Sequence, residues 1–292
     1  MTENRIQKQV RQFYDEVGWQ KLENNLYQNT QFEDLRTVSR EYIHRCHLRV
    51  NRYLKPVGRL LLDAGSGPVQ YPEYLTYSAG YKYRVCLDVS LTALLEARKQ
   101  LKEHGLCVLG DVTHLPFPRD LFDGVISLHT LHHLTVDDQV NAYTEVYRTL
   151  LPGASGVVVN GWKKSPLMQK MNRIMTLMER FTKREKKLTQ AELANEKELL
   201  ISVNGKPERT FVDEINALFL KQKLTGKIPI EIFVWRSVNV RFLRALIHSK
   251  LGGRFWLRLL YWLEEKFPHY LGENGAYPLV VINKKATINL VK

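Results

Sequence analysis

Four pieces of the chain decide how it folds: Leu61-Leu62-Asp63-Ala64-Gly65-Ser66-Gly67-Pro68, Val85-Cys86-Leu87-Asp88, Gly110-Asp111-Val112 and Phe122-Asp123-Gly124-Val125-Ile126-Ser127-Leu128-His129. Each joins an apolar run, short enough for a buried parallel strand, to a small or acidic residue at its C-terminal end. In an open parallel sheet, ligands bind in the crevice beyond those carboxyl ends, so one ligand could touch all four pieces. Gly65 and Gly67 follow the first run, where they permit backbone angles closed to other residues and let a ligand approach the main chain. Asp88 comes 25 positions after Asp63 and ends the next run, where an acid accepts hydrogen bonds from ribose hydroxyls. Val69 stands at the third glycine position of the dinucleotide fingerprint, and a side chain there narrows the room for a pyrophosphate. The ligand expected is a nucleoside without phosphates.

These residues carry a family resemblance. Asp63-Ala64-Gly65-Ser66-Gly67-Pro68, then Asp88, then Gly110-Asp111-Val112-Thr113-His114-Leu115-Pro116-Phe117, then the run from Phe122 to Leu134 resembles the motif series of class I S-adenosylmethionine-dependent methyltransferases. The group it is most similar to is the broad one that contains the ubiquinone and menaquinone C-methyltransferases. The resemblance is good over residues 55 to 160 and poor beyond. It implies S-adenosyl-L-methionine as cofactor, with Asp63, Gly65, Ser66 and Gly67 around its methionine part and Asp88, followed by Val89, at the ribose. It further implies that Asp111 accepts from the adenine amine, that the Val112 amide meets the adenine ring, and that His129 lines the methionine end. Phe13-Tyr14-Asp15-Glu16-Val17-Gly18-Trp19 resembles the N-terminal cover of this group, which makes Tyr14 a candidate lid, with core packing as the alternative.

The chemistry of the ligand agrees with those positions. Adenosine offers hydroxyls and an amine, and buried carboxylates need such partners or local amides. Taken alone, Asp111 reads equally well as a turn cap. Methyl transfer is an in-line displacement in which the protein supplies alignment and desolvation. A hydroxyl or acidic carbon acceptor also needs a base, for which His129 and His132 are the candidates; a structural role is the competing reading. Two further functions share parts of the pattern, a nicotinamide-dependent oxidoreductase and a non-catalytic cofactor-binding regulator. Val69 and the Gly110-Asp111-Val112 site speak for the methyl donor.

Alternation of strands near 59–63, 83–88, 106–110, 122–128 and 155–160 with helices near 70–79, 90–103 and 137–150 predicts an α/β fold. The expected architecture is a doubly wound, mostly parallel seven-stranded sheet with helical cap insertions. Helical patterning over 4–15 and 33–54 forms an N-terminal cover (1–54), and the cofactor core spans 55–160. A first cap occupies 161–209, the core continues over 210–238 with a helix at 210–223 and a strand at 230–236, a second cap fills 239–276, and 277–292 holds the last strand. Both caps leave parallel strands at the cofactor end, so both are expected over the pocket, where loops select substrates. Met168, Met171, Ile174, Met175 and Met178 make an apolar stripe on the first cap, either a pocket wall or a packing face.

With 292 residues and 44% hydrophobic content, the chain can bury a substantial core. Cys46, Cys86 and Cys107 show no paired spacing and read as buried free thiols, neither a disulfide set nor a metal site. The polar start, Met1-Thr2-Glu3-Asn4-Arg5, and the lack of a membrane-length apolar run point to the cytoplasm. The net charge of +13 is uneven: residues 161–230 hold 15 Lys or Arg against 8 Asp or Glu, including Lys183-Arg184-Glu185-Lys186-Lys187. This favours an anionic acceptor, an acidic partner or an anionic surface; nucleic acid is disfavoured because no binding module is present. Cations and aromatics interleave from Arg241 to Trp262 as in interfacial helices, which admits a lipid-like acceptor and peripheral contact with an anionic membrane. Oligomeric state is not legible in the sequence.

Overall fold

The computed structural model of the protein describes residues 5–20, 27–28, 33–188 and 210–286, with side chains through 180 in the third range. The strands are β1 (Gly58–Ala64), β2 (Tyr81–Asp88), β3 (Gly105–Leu109), β4 (Phe122–Leu128), β5 (Leu150–Val159), β6 (Ile230–Arg236) and β7 (Tyr277–Asn283). They form one sheet in the order β3-β2-β1-β4-β5-β7-β6. All neighbours pair in parallel except β7, which runs antiparallel to both β5 and β6. The sheet is therefore the expected mostly parallel one. Its middle is apolar on both faces: Leu61, Leu62, Val125, Ile126, Val157 and Val158 are fully buried.

The helices are α1 (Arg5–Phe13), α2 (Arg40–Leu48), α3 (Pro72–Thr76), α4 (Leu91–Leu101), α5 (Val136–Thr149), α6 (Pro166–Leu188), α7 (Ala217–Leu224), α8 (Val240–Leu246), α9 (Gly253–Lys266) and α10 (Pro268–Asn274). Side-chain caps explain several of their starts, since Ser90, Thr135, Asn216 and Asn239 each accept a backbone N–H from the first turn that follows. The helix expected over 33–54 is shorter: it starts at Arg40 and tightens into a 3-10 turn over Arg49–Tyr53. Before it, Asp34 accepts from Arg36 and Ser39 and holds the chain in a local turn, a role Asp often takes in place of helix. The helix expected over 210–223 begins only at Ala217, and 210–216 is non-helical.

The second cap does not cover the pocket. Because β7 is antiparallel, β6 ends and β7 begins at the same edge, and the chain between them spreads outward. There α8 and α9 join α2 and α6 in one cluster through Tyr42, Ile43, Met168, Leu243 and Leu257. Glu264 of α9 is fully buried and accepts from Tyr42 at 2.7 Å, Arg49 at 2.9 Å and the Ser237 amide at 2.8 Å. α10 lies against the edge strand β6, where His269 meets the Ile232 carbonyl at 2.9 Å. The methionine stripe has a packing role: Met168 and Met171 meet α8, and Met175 is buried. Residues 189–209 of the first cap lie outside the described residues, as do the side chains of the Lys183–Lys187 run. Cys46 and Cys86 are buried as expected, but Cys107 is exposed, because β3 is an edge strand.

Candidate active site

One cavity of about 700 Å³ lies along the carboxyl edge of the sheet, within the size range of small-molecule sites. It brings together Tyr14, Gly65, Ser66, Gly67, Asp88, Val89, Asp111, Val112, His129 and His132. Sequence order is turned into a spatial row: β3, β2 and β1 deliver Asp111, Asp88 and the glycines to one half, while β4, β7 and β6 deliver His129, Tyr277 and Arg236 to the other.

Asp63 is the exception among the expected contacts. It points away from the cavity into a buried ion pair with Arg84, which donates through Nε at 3.1 Å and through Nη2. Burial pushes its carboxyl up while Arg84 pulls it down, and both side chains are almost inaccessible. Alternation along β1 is the reason, because residues on one face of the sheet cannot also turn to its edge. Asp63 thus supports the turn from below.

Above it, Gly65 has φ +76°, and a Cβ there would lie 2.1 Å from Thr130 Cγ2; Thr130 Oγ1 donates to the Gly65 carbonyl at 2.9 Å. The close approach demands glycine. Gly67 has φ +54° and donates its amide to Asp88 Oδ2 at 2.9 Å, while Ser90 donates to Oδ1 at 2.9 Å. Each Asp88 oxygen keeps capacity for a further donor. Burial raises the Asp88 carboxyl to about 6, with the two amides opposing it. Val69 also takes a positive φ, 55°, and its side chain is buried in the core beside Leu61 and Tyr74, so it does not narrow the cavity. What removes a phosphate cradle is the delayed helix: α3 starts at Pro72 and not at the glycine turn.

Asp111 accepts from the Thr113 amide at 2.9 Å, from Thr113 Oγ1 at 2.5 Å and from Gln7 Nε2. It is therefore a turn former as well as a lining residue, and an amine reaching Oδ2 would take the place of Gln7. The N-terminal segment closes this side. Tyr14 stacks on Trp19 at 4.8 Å and bonds His133 Nε2 at 2.6 Å, and Asp15 accepts from Ser90 Oγ. Because His133 Nδ1 faces the Phe211 carbonyl at 2.8 Å, that nitrogen carries the proton and Nε2 accepts from Tyr14. Burial, then Asp88, raises the Tyr14 hydroxyl, keeping it a donor.

His129 sits at φ 55° at the end of β4, its amide bonded to the Val159 carbonyl at 2.7 Å. Its ring packs edge-on to Trp235 at 4.9 Å and Tyr277 at 5.8 Å. His132 Nδ1 meets Asn160 Oδ1 at 3.3 Å, which leaves its Nε2 as the lone-pair nitrogen. Burial lowers His129 to about 3 and His132 to about 4, so both rings are neutral at neutral pH.

Several lining residues were not anticipated: Glu33, His47, Glu214 and Arg236. Arg236 could have been found, since it ends the apolar run Ile230-Glu231-Ile232-Phe233-Val234-Trp235 as Asp88 ends its own. Glu33 and His47 carry no such signal and arrive from the N-terminal cover. Burial would push the Glu33 carboxyl up, but Arg236 and His47 outweigh it and hold it low. On a chain of net charge +13, the cavity is lined by Glu33, Asp88, Asp111 and Glu214 against Arg236 as the one Lys or Arg among its described lining residues. Such a lining suits a ligand bearing positive charge, as a sulfonium with an amino group does. Among the described residues no cluster of His, Cys, Asp or Glu is placed to hold a metal ion.

A family model described as a methyltransferase domain matches residues 62–158. No curated protein matches the chain in sequence. Among solved structures, the geranyl diphosphate C-methyltransferase of Streptomyces coelicolor A3(2), solved with S-adenosyl-L-homocysteine, has TM-score 0.53 at 9% identity, covering 97% of this chain and 99% of its own. DhpI, solved with SAM, has TM-score 0.52 at 11% identity over 97% of this chain and 100% of its own. The [4+2]-cyclase SpnF has TM-score 0.52 at 16% identity over 98% of this chain and 99% of its own. At these identities the likeness is one of fold, and the domain match runs from β1 to β5. The nicotinamide alternative gives way to it: the chain carries a methyltransferase domain over residues 62–158, on a fold it shares with structures solved with S-adenosylmethionine or its demethylated product.

Proposed function

We propose that the protein methylates an oxygen, nitrogen or carbon nucleophile of an uncharged small-molecule or lipid-like acceptor bound in the half of the cavity formed by β4, β7 and β6. The observation that carries this reading is that one cavity joins a part lined by the glycine turn, Asp88 and Asp111, suited to the methyl donor, to a part walled by His129, Tyr277, Tyr71 and Arg236. The bound cofactor supplies an electrophilic methyl group on a positively charged sulfur. Asp88 and the Gly65–Gly67 turn would hold its nucleoside and methionine parts. Tyr14 and Trp19 would exclude water, which strengthens every electrostatic contact inside. His129 or His132, neutral and with a free nitrogen, would take the proton from a hydroxyl or acidic carbon. Among the described lining residues Arg236 is the one Lys or Arg, and Glu33 pairs with it, which is why the acceptor is proposed as uncharged there. Incubating the protein with labelled S-adenosylmethionine and an extract separated into lipids, small molecules, protein and nucleic acid tests the reading. Label in the lipid or small-molecule fraction is expected, and label confined to protein or nucleic acid refutes it.

The same reading extends to location, as a cytoplasmic protein peripheral to an anionic membrane. No described helix is long and apolar enough to cross a bilayer. On α9, Phe255, Trp256, Leu259 and Trp262 are 64%, 53%, 38% and 52% exposed, beside exposed Lys250, Arg254 and Lys266. Aromatic and aliphatic side chains next to cations favour a lipid interface over water. Sedimentation with phosphatidylserine vesicles at low salt should carry the protein down and spare Trp256→Ser/Trp262→Ser; a wild-type protein left in the supernatant refutes the contact.

A further inference from the structure

We infer that the end of the cavity bounded by Arg236, His47 and Tyr71 recognises the acceptor through an uncharged hydroxyl carried on a flat apolar body. The inference rests on the methyl-transfer reading for its context and on two buried side chains for its substance. Arg236, at the end of β6, is 2% exposed; Nη1 pairs with Glu33 at 2.5 Å, and Nε has no partner. His47, on α2, is 1% exposed, and neither ring nitrogen has a hydrogen-bond partner. The nearest carboxylates to it are Glu33 at 3.9 Å and Glu73 at 4.0 Å, beyond hydrogen-bond range. Both side chains line the cavity and gather around the one Glu33 carboxylate.

A buried polar atom without a partner costs about 1–3 kcal/mol, so a ligand that satisfies these atoms gains what the free protein forgoes. Charge decides what kind of ligand. The guanidinium of Arg236 is already matched by Glu33, and the cavity holds further acids, so an anion would enter without a counter-charge. A cation would meet the Arg236 Nε–H donor and find the nearest carboxylate engaged. A hydroxyl fits both groups: its oxygen accepts from Arg236 Nε, and because a hydroxyl both donates and accepts, it can also partner a His47 ring nitrogen in either role.

The walls describe the rest of the acceptor. The His47 ring lies 4.9 Å from Tyr71 and 5.4 Å from Tyr74, and the Arg236 guanidinium lies 4.6 Å from the Tyr277 ring centre. Flat apolar groups pack well against such faces. Tyr277, which also lines the cavity, packs edge-on to His129 at 5.8 Å, so a ring held here by its hydroxyl extends toward the proposed proton acceptor.

The test uses the full chain loaded with S-adenosylhomocysteine and three probes of one shape: p-cresol, benzoate and benzylamine. Titration followed by saturation-transfer NMR should show p-cresol binding about tenfold more tightly than either charged probe. Arg236→Lys keeps a cation for Glu33 but lacks the Nε donor, and His47→Phe keeps the ring packing. Each should weaken p-cresol by about five- to tenfold with S-adenosylhomocysteine affinity unchanged. Benzoate or benzylamine binding as well as p-cresol overturns the inference, as does unaltered p-cresol binding in both variants. Should the variants fold poorly, the three-probe comparison on the unmodified protein decides alone. Calorimetry with S-adenosylhomocysteine separates the two levels: no binding removes the methyl-transfer reading, whereas binding without a p-cresol preference removes only this one.

Discussion

Replacing Asp88 with asparagine keeps the shape of the β2 exit and removes its charge, with opposite effects on stability and on cofactor binding. Burial raises this carboxyl from its ordinary 3.8 to about 6. A group raised in the folded state favours folding fully below its unfolded value and loses that contribution as pH climbs through its folded value. Asp88 therefore costs the ligand-free protein up to about 3 kcal/mol near neutral pH, less what cavity water screens. Asparagine avoids that cost but can accept through only one atom, so the Gly67 or Ser90 amide loses its partner, at about 1 kcal/mol. A net gain of about 1 kcal/mol is expected in the ligand-free variant near pH 8, read by thermal unfolding. Hydrogen bonds to a charged acceptor contribute about 1.5–3 kcal/mol, so S-adenosylhomocysteine should bind the variant about 10- to 150-fold more weakly by calorimetry. The wild-type protein should lose affinity as pH falls through about 6, where the carboxylate takes a proton, and the variant should show no such step. Equal affinity of the two proteins near pH 8 would refute the assignment of Asp88 to the nucleoside.

Three further expectations follow from the same geometry. Gly65→Ala places a methyl group 2.1 Å from Thr130 Cγ2 at a positive φ, and should lower stability by about 2–4 kcal/mol; an unchanged denaturation midpoint would mean that the turn is not as described. His129→Ala and His132→Ala should each be compared with wild type for methyl transfer to the labelled fraction and for cofactor affinity. Turnover should fall about 100-fold or more for the residue that takes the proton, with affinity within about twofold, and normal turnover removes that residue from the mechanism. Tyr14→Phe loses the 2.6 Å bond to His133 and should weaken S-adenosylhomocysteine binding about fivefold, as expected for about 1 kcal/mol of lid closure; unaltered binding would leave Tyr14 a packing residue only.

Where sequence reading and structure part, the reasons are physical. Strand positions were legible because a buried parallel strand is a short apolar run with few alternatives, as in Leu60-Leu61-Leu62 and Gly124-Val125-Ile126. Direction along a strand was harder to use. Asp63 carries the same motif as the lining glycines two residues on, yet its partner Arg84 lies on the neighbouring strand, and a pair made across strands has no fixed spacing in sequence. The end of β6 alone predicts the second cap over the pocket, yet none of residues 239–276 lines the cavity, because the return strand β7 also sets where the cap lies. The end of β6 and the start of β7 lie at one edge when β7 runs antiparallel, which leaves the intervening helices free to pack outward on α2 and β6.

By itself, the sequence determined the parallel sheet, the glycine turn at Gly65 and Gly67, and the row of Asp88, Asp111 and His129 at strand ends, because each is a local consequence of strand length and backbone freedom. Only the tertiary structure decided which side chains face which. The order β3-β2-β1-β4-β5-β7-β6 puts the donor and acceptor halves side by side, turns Asp63 toward Arg84, and brings Glu33 and His47 from the N-terminal cover to Arg236 at the far end of the chain. Those contacts join residues about 200 positions apart, as Glu33 and Arg236 are, and depend on the packing of whole elements, which no local pattern encodes.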